Sequence, residues 1–306
     1  MEQAVIVEGA RTPIGKFLGS FSEVPTVDLG IAATQEAIRR AGIEPDDVEE
    51  LIFGHARQAG NGPNTARQVS YRSGIPQEVP AYNVNMACGS GTKAVQLAAQ
   101  EIMLGHREVV VAGGMENMTR TPALLLDFRF GYRMGDVPVK DGMYKDGFLD
   151  PLCGLVMGET AENLAEKYEI PREEQDEFAL RTQQKAAAAT ERLAKEIVPV
   201  EAPGKKGETV TVTEDEHPRP ETTMEGLAKL PAVFRQGGSV TPGNASGVTD
   251  GAAAMVLMSE RRAKAEGREI LARIVGTSSA GVDPAYMGIA VVPAVRRLED
   301  STGLSL

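Results

Sequence analysis

The sequence predicts an α/β fold: apolar strands layered with helices, an inserted region, and a second copy of the opening pattern that is only begun. Three observations predict it. Apolar runs alternate with helix-patterned stretches from Ala4 to Gly114, the alternation lapses between Thr119 and about 240, and the opening order of elements returns after Ile270. Strands such as EVVVA (Glu108 to Ala112) carry no polar alternation, which predicts burial on both faces and a parallel sheet covered by helices.

Ala4 to Val7 reads as the first strand, followed by the turn-rich loop EGARTPIGKF. Asp28 is placed as the N-cap of a helix over Leu29 to Ala41 that stops at Gly42. Leu51 to Gly54 is a strand, Asn64 to Ser73 a helix, and Val79 to Val84 an extended run leading to NMACGSGTKAV (Asn85 to Val95). The helix that follows, Thr92 to Leu104, is apolar around most of its circumference and therefore buried. Beyond Thr119 come MGETAENLAEKYEI, a charged helix from Arg172 to Lys195 behind Pro171, and a polar hairpin and loop in KKGETVTVTEDEHPRPETT. Ala253 to Met258 is an apolar strand that rejoins the first sheet, and Arg261, Arg262 and Lys264 form a solvated face on the next helix. From Ile270, ARIVGTS repeats AVIVEGA and MGIA (Met287 to Ala290) repeats LGIA (Leu29 to Ala32), each ahead of a basic amphipathic helix. The expected organisation is a first half of 1–118 and 250–269, an insertion of 119–249, and the start of a second half at 270–306.

Composition narrows the function. A net charge of −11 and no Trp argue against nucleic-acid and anionic-membrane partners, while an anionic small substrate stays open if basic residues gather locally. The two cysteines, Cys88 and Cys153, form no CxxC, so neither a disulfide framework nor a zinc site is indicated. No basic-then-apolar leader opens the chain and no apolar run is long enough to span a bilayer, which predicts a cytoplasmic protein. Asn244-Ala245-Ser246 matches a glycosylation sequon that such a compartment leaves unused.

Cys88 is the candidate nucleophile. At the mouth of a helix it lies beside unpaired backbone N–H groups and the positive dipole end, both of which favour thiolate, and the flanking glycines let an acyl group approach the backbone. A small buried hydrophobe is the competing reading from the residues alone.

Five blocks together, EGARTPIGKF, NMACGSGTKAV, VVVAGGMENMTRTP, MGETAENLA and GSVTPGNASGVTDGAAA, resemble the thiolases, and most nearly the acetyl-CoA acetyltransferases, in the family's order. The resemblance implies two duplicated α/β halves with a loop domain in the first that binds coenzyme A. It further implies homodimers or tetramers, acetyl-CoA and acyl-CoA as substrates, and no separate cofactor. It assigns Cys88 as the acylated nucleophile, Met157, Phe234 and Ser246 to the pantetheine channel, and Arg219 to the nucleotide end. Phe148 and Met287 match positions at the acyl pocket. Val156 stands where many relatives carry a histidine, Phe148 where a smaller apolar residue is frequent, and Gly226 where some carry a hydroxyl.

The family's NEAF, GHP and CxGGG motifs do not occur in these 306 residues. They supply an oxyanion asparagine, an activating histidine and the acid-base cysteine of the condensation step. Neither Cys153 nor any of His55, His106 and His217 sits in a matching motif. The resulting expectation is an acyltransferase chain inactive alone, prone to associate or to take a partner supplying the missing half. The alternative is a non-catalytic coenzyme A binding or scaffold subunit. A ketoacyl synthase is disfavoured by the long insertion and by CGSGTKAV.

Overall fold

The computed structural model describes residues 2–306. In chain order it holds β1 (Ala4–Arg11), β2 (Gly15–Lys16), α1 (Thr26–Ala41), β3 (Glu50–Gly54), α2 (Thr65–Arg72), β4 (Ala81–Val84), α3 (Ser90–Met103) and β5 (Val109–Asn117). Then follow β6 (Ala123–Leu124), β7 (Lys140–Asp141), α4 (Met157–Lys167), α5 (Arg172–Ala188), α6 (Thr190–Ala194), β8 (Val200–Pro203) and β9 (Thr209–Val212). The chain closes with α7 (Met224–Ala228), β10 (Thr249–Ser259), α8 (Glu260–Ala265), β11 (Ala272–Arg273) and α9 (Val291–Thr302). It divides into two units: residues 1–121, 192–217 and 248–274 form the first, and 122–191, 218–247 and 275–306 the second.

The first unit is built on one sheet with the order β11-β1-β10-β5-β3-β4. Side chains alternate across it with period two, so neighbours along a strand serve opposite faces. Leu51, Phe53, Val109, Val111, Val256 and Met258 join the core beneath α1 and α2, where Leu29, Ala33, Ala37, Ile38 and Val69 are buried. Ile52, Val110, Ala112 and Leu257 point the other way, under Ala94, Ala98, Ala99 and Ile102 of α3. Both faces are covered, which is why these strands read as unbroken apolar runs.

The sheet is mixed rather than parallel. β4, β3 and β5 run parallel, but β10 lies antiparallel to both β5 and β1. An apolar run encodes burial and not direction, so this reversal was invisible in the pattern. α1 begins at Thr26, ahead of the expected Asp28. Pro25 supplies a fixed φ at its entry, and Asp28 instead sits in the first turn, where a negative charge meets the positive dipole end. Gly42, at φ 64°, ends it as read, its N–H bonding to Arg39 O while Ile43 N bonds to Ile38 O. The Arg172–Lys195 helix is broken at Ala189 into α5 and α6. The hairpin falls earlier than read: β9 lies in the expected stretch, but its partner β8 precedes Lys205, and the rest of that stretch after Val212 forms no strand. The basic run on α8 is ion-paired: Arg261 to Glu108, Arg262 to Asp47 and Glu266, and Lys264 to Glu260.

In the second unit, buried carboxylates organise the loops. Glu162 on α4 accepts hydrogen bonds from Ser239 N and Oγ and from Val240 N. Asp176 on α5 accepts from Arg172 Nε and Asn244 Nδ2, and the Arg172 Nη2 group donates to Leu227 O and Leu230 O. α4 also packs on the 284–290 turn, where Lys167 Nζ lies 4.1 Å from the Tyr286 ring centre. Burying a charge without partners is costly, and each carboxylate here is satisfied by several donors. α9 has no buried residue.

Candidate active site

β4 ends at Val84, and the next five residues turn sharply into α3. Ala87 occupies the left-handed region at φ 47°, which costs an L-residue about 1–2 kcal/mol. Both of its polar groups are taken. Its N–H donates to Asn85 Oδ1 at 3.0 Å. Its carbonyl accepts from Ser90 Oγ at 2.6 Å and Ser90 N at 3.1 Å. The buried Ser90 hydroxyl also accepts from Met86 N at 2.8 Å, so one side chain closes the turn from within.

Cys88, next in line, is exposed. It forms an isolated bridge with Met86 and stands directly before the first turn of α3, where N–H groups lack helical partners. The turn sits on glycines for a steric reason. A Cβ at Gly54 would come within 2.5 Å of Gly91 N and Ser90 C, and one at Gly114 within 3.4 Å of Gly91 Cα. The end of β3 and the residue paired with it inside β5 thus lack side chains where the helix mouth rests on them.

The turn is tied to its neighbours through Asn85, whose Nδ2 donates to Ala56 O at 3.1 Å. Ala56 N and Arg57 N donate in turn to the Glu116 carboxylate at the end of β5. His55 is buried, with Nδ1 2.7 Å from Thr65 Oγ1 and Nε2 3.3 Å from Glu116 Oε1. His106 is exposed and bonded to Glu101, and no histidine bonds to Cys88 among the described residues. Cys153 is half-buried in the second unit.

The other candidates all fall within the second unit, as Cys88 falls within the first. Met157 opens α4 and is half-buried. Phe234 packs over Gly158, where an added Cβ would come within 2.4 Å of its ring atoms, so this residue pair is fixed by the glycine. Phe148 meets Tyr144 edge to face at 5.7 Å. Ser246 is exposed, two residues beyond Asn244, which is anchored to Asp176 and Ser239 O. Arg219 is exposed, its N–H held by Gln183 Oε1 and its carbonyl by Thr222. Met287 is exposed in the 284–290 turn.

The thiolase N-terminal domain model matches residues 4–261. The chain belongs to the thiolase family. It is 49% identical over 308 residues to an acetyl-CoA acetyltransferase of Pseudomonas aeruginosa, spanning 100% of this chain and 78% of that one. A probable acetyl-CoA acyltransferase of Staphylococcus aureus is 47% identical over 299 residues, covering 97% and 76% of the two chains. The crystal structure of the Bacillus anthracis acetyl-CoA acetyltransferase superposes with a TM-score of 0.96 at 45% identity, over 100% of this chain and 78% of that one. The acetyl-CoA acetyltransferase structure from Syntrophomonas wolfei gives 0.95 at 40% identity, over 100% and 77%.

This thiolase-family chain thus has the layered α/β fold expected of it, and the matched domain contains Cys88 and every coenzyme candidate except Met287. Sequence reasoning missed Asn85, Ser90 and Glu116 as parts of the cysteine turn. Polar residues three before and two after the cysteine were in view, but which backbone groups they bond depends on the fold. Among the described residues no helix is long and apolar enough to cross a membrane, and no cluster of three or more His, Cys, Asp or Glu could hold a metal.

Proposed function

We propose that this thiolase-family chain transfers acyl groups from coenzyme A thioesters through an acyl-enzyme on Cys88. The observation that carries the reading is an exposed thiol at the mouth of a helix inside the matched thiolase domain. The Cys88 sulfur attacks the thioester carbonyl carbon, the developing oxygen charge is received by the Cys88 N–H and the dipole of α3, and the carbon–sulfur bond to coenzyme A breaks. The thiol proton leaves with coenzyme A, so the step balances as thiol plus thioester on each side.

The coenzyme lies along the inserted residues 119–249, with Met157, Phe234 and Ser246 along the pantetheine arm and Arg219 at the anionic nucleotide. Phe148 and Met287 bound the acyl group. The names of the relatives and the satisfied carboxylate anchors that hold these loops support this assignment. Acetyl-CoA is the substrate proposed first, with the protein acting as a homo-oligomer in the cytoplasm.

Condensation of the acyl-enzyme with a second acetyl-CoA requires removal of a methyl proton, which calls for a positioned base and oxyanion donors. Losing a positioned base costs about 10²–10⁴ in rate and losing one oxyanion donor about 10²–10³. The 306 residues hold none of the three motifs that supply them in this family, so acylation without condensation is the reading for this polypeptide by itself. Incubation with acetyl-CoA followed by peptide mass mapping should place an acetyl group on Cys88 and none on Cys153, with no thiolysis of acetoacetyl-CoA. Full turnover by the 306 residues would refute acylation without condensation. Coenzyme A binding without acetylation would favour a binding subunit instead.

A further inference from the structure

We infer that Asn85 and Ser90 are positioning residues for the acylation of Cys88, acting together through the backbone of Ala87. This rests on the acyl-transfer reading above and adds to it the device that sets the nucleophile.

Ala87 stands at φ 47°, a conformation an L-residue leaves unless its surroundings hold it there. Nothing large presses on it, because the residue is exposed. What holds it is hydrogen bonding. Asn85 Oδ1 accepts from its N–H, and Ser90 Oγ and N donate to its carbonyl. The two clamping side chains are themselves fixed from opposite sides: Asn85 Nδ2 by Ala56 O, which Glu116 steadies through Ala56 N and Arg57 N, and Ser90 by burial and by Met86 N. Asn85 ties the turn to the loop after β3 and Ser90 is buried in the first turn of α3, so the turn between them has little freedom.

The φ and ψ of Ala87 set the direction of the peptide that follows it, and that peptide carries the Cys88 N–H. A residue that returned to negative φ would swing this N–H away from the position beside the sulfur where a thioester oxygen must develop charge. The sulfur would remain exposed and reactive toward small reagents, since simple alkylation does not need an oriented donor. The clamp therefore separates two properties of one cysteine: accessibility, which any exposed turn provides, and readiness to acylate, which needs the left-handed Ala87.

The experiment compares wild type, Asn85→Ala, Ser90→Ala, Ala87→Gly and the Ser90→Ala/Ala87→Gly double variant. Each is followed by acetylation of Cys88 from acetyl-CoA, by alkylation with iodoacetamide, and by thermal melting. Ser90→Ala should slow acetylation about 10²-fold, the loss that goes with a misplacement of about 1 Å, while alkylation changes less than about threefold. Asn85→Ala, at an exposed position that does not threaten the core, should show the same split more weakly. Because glycine enters the left-handed region without steric cost, Ala87→Gly in the Ser90→Ala background should recover at least about tenfold of the lost acetylation rate. Equal loss of acetylation and alkylation with a collapsed melt, or no rescue by Ala87→Gly, would reduce Ser90 to a packing residue and overturn the inference. Wild-type acetylation rates in both Asn85→Ala and Ser90→Ala would also overturn it while leaving the acyl-transfer reading intact. Failure of the wild type itself to be acetylated would sink that reading and the inference together.

Discussion

Gly54→Ala tests whether the mouth of α3 really rests on the end of β3. A Cβ built there stands 2.5 Å from Gly91 N and Ser90 C, both backbone atoms that cannot rotate aside. Restoring ordinary contact requires the first turn of the helix to withdraw by about 1 Å, since close packing leaves no slack elsewhere. Overpacking of this kind costs about 1–3 kcal/mol, and a displacement of about 1 Å at a reacting group costs about 10²-fold in rate. Urea denaturation should show a lower midpoint with unchanged slope, and acetylation of Cys88 should fall by about two orders of magnitude. Gly91→Ala is the matched control, because a Cβ there has its nearest neighbour at 3.9 Å and alanine is the better helix residue by about 0.5–1 kcal/mol. Its stability should hold or rise. A Gly54→Ala protein with wild-type midpoint and wild-type acetylation would refute the seating of the helix on the strand.

The other predictions concern buried and paired charges. Glu36 is held down to about 2 by its hydrogen bond to Arg39 and by Arg40, so it contributes stability above pH 4.5 that is lost as pH falls toward 2. Glu36→Gln should cost about 1 kcal/mol at pH 7, discounted for the exposed Arg39, and denaturation midpoints of the two proteins should converge across that window. Asp250 is buried, and burial raises its carboxyl above the usual range despite the bonds from Thr119 N and Oγ1. The folded protein binds that proton more tightly than the unfolded chain. Relative to Asp250→Asn, the wild type should therefore lose stability as pH rises from the ordinary aspartate range through the raised value, and parallel slopes in the two proteins would contradict this. Glu162→Gln removes acceptor capacity from the donors at Ser239 and Val240 and should destabilise the second unit by about 1–3 kcal/mol, read as earlier protease cleavage between 234 and 246.

Much of the fold was legible because its signals are local. Gly42 marked a helix stop and takes the left-handed conformation that ends α1. The apolar runs around Leu51, Val110 and Leu257 marked strands covered on both faces, since each neighbouring residue serves a different core. Strand direction was not legible, because it depends on how the chain returns at residue 249 after a long excursion, which no short pattern records. Ala189 interrupts the helix read through to Lys195 without a proline or glycine to announce it. At the site, Cys88 stood out through its glycines. The Asn85 and Ser90 contacts did not, because short polar side chains bond whichever backbone groups the tertiary turn presents. The six coenzyme candidates came from resemblance to a family, and no periodicity or spacing singles them out.

β10 lies between β1 and β5 yet is encoded at residues 249–259, and Ala4 waits for Ser259 as its partner in register. During synthesis, the strands from the first hundred or so residues leave the ribosome long before the one that joins them. Loop closure over such a separation is slow, and nascent apolar edges invite wrong pairings until it happens. The yield of folded chain should therefore respond to translation speed and to chaperone supply more than to native-state stability. Moving the chain ends so that 249–259 is translated beside 4–11 would shorten that exposed interval.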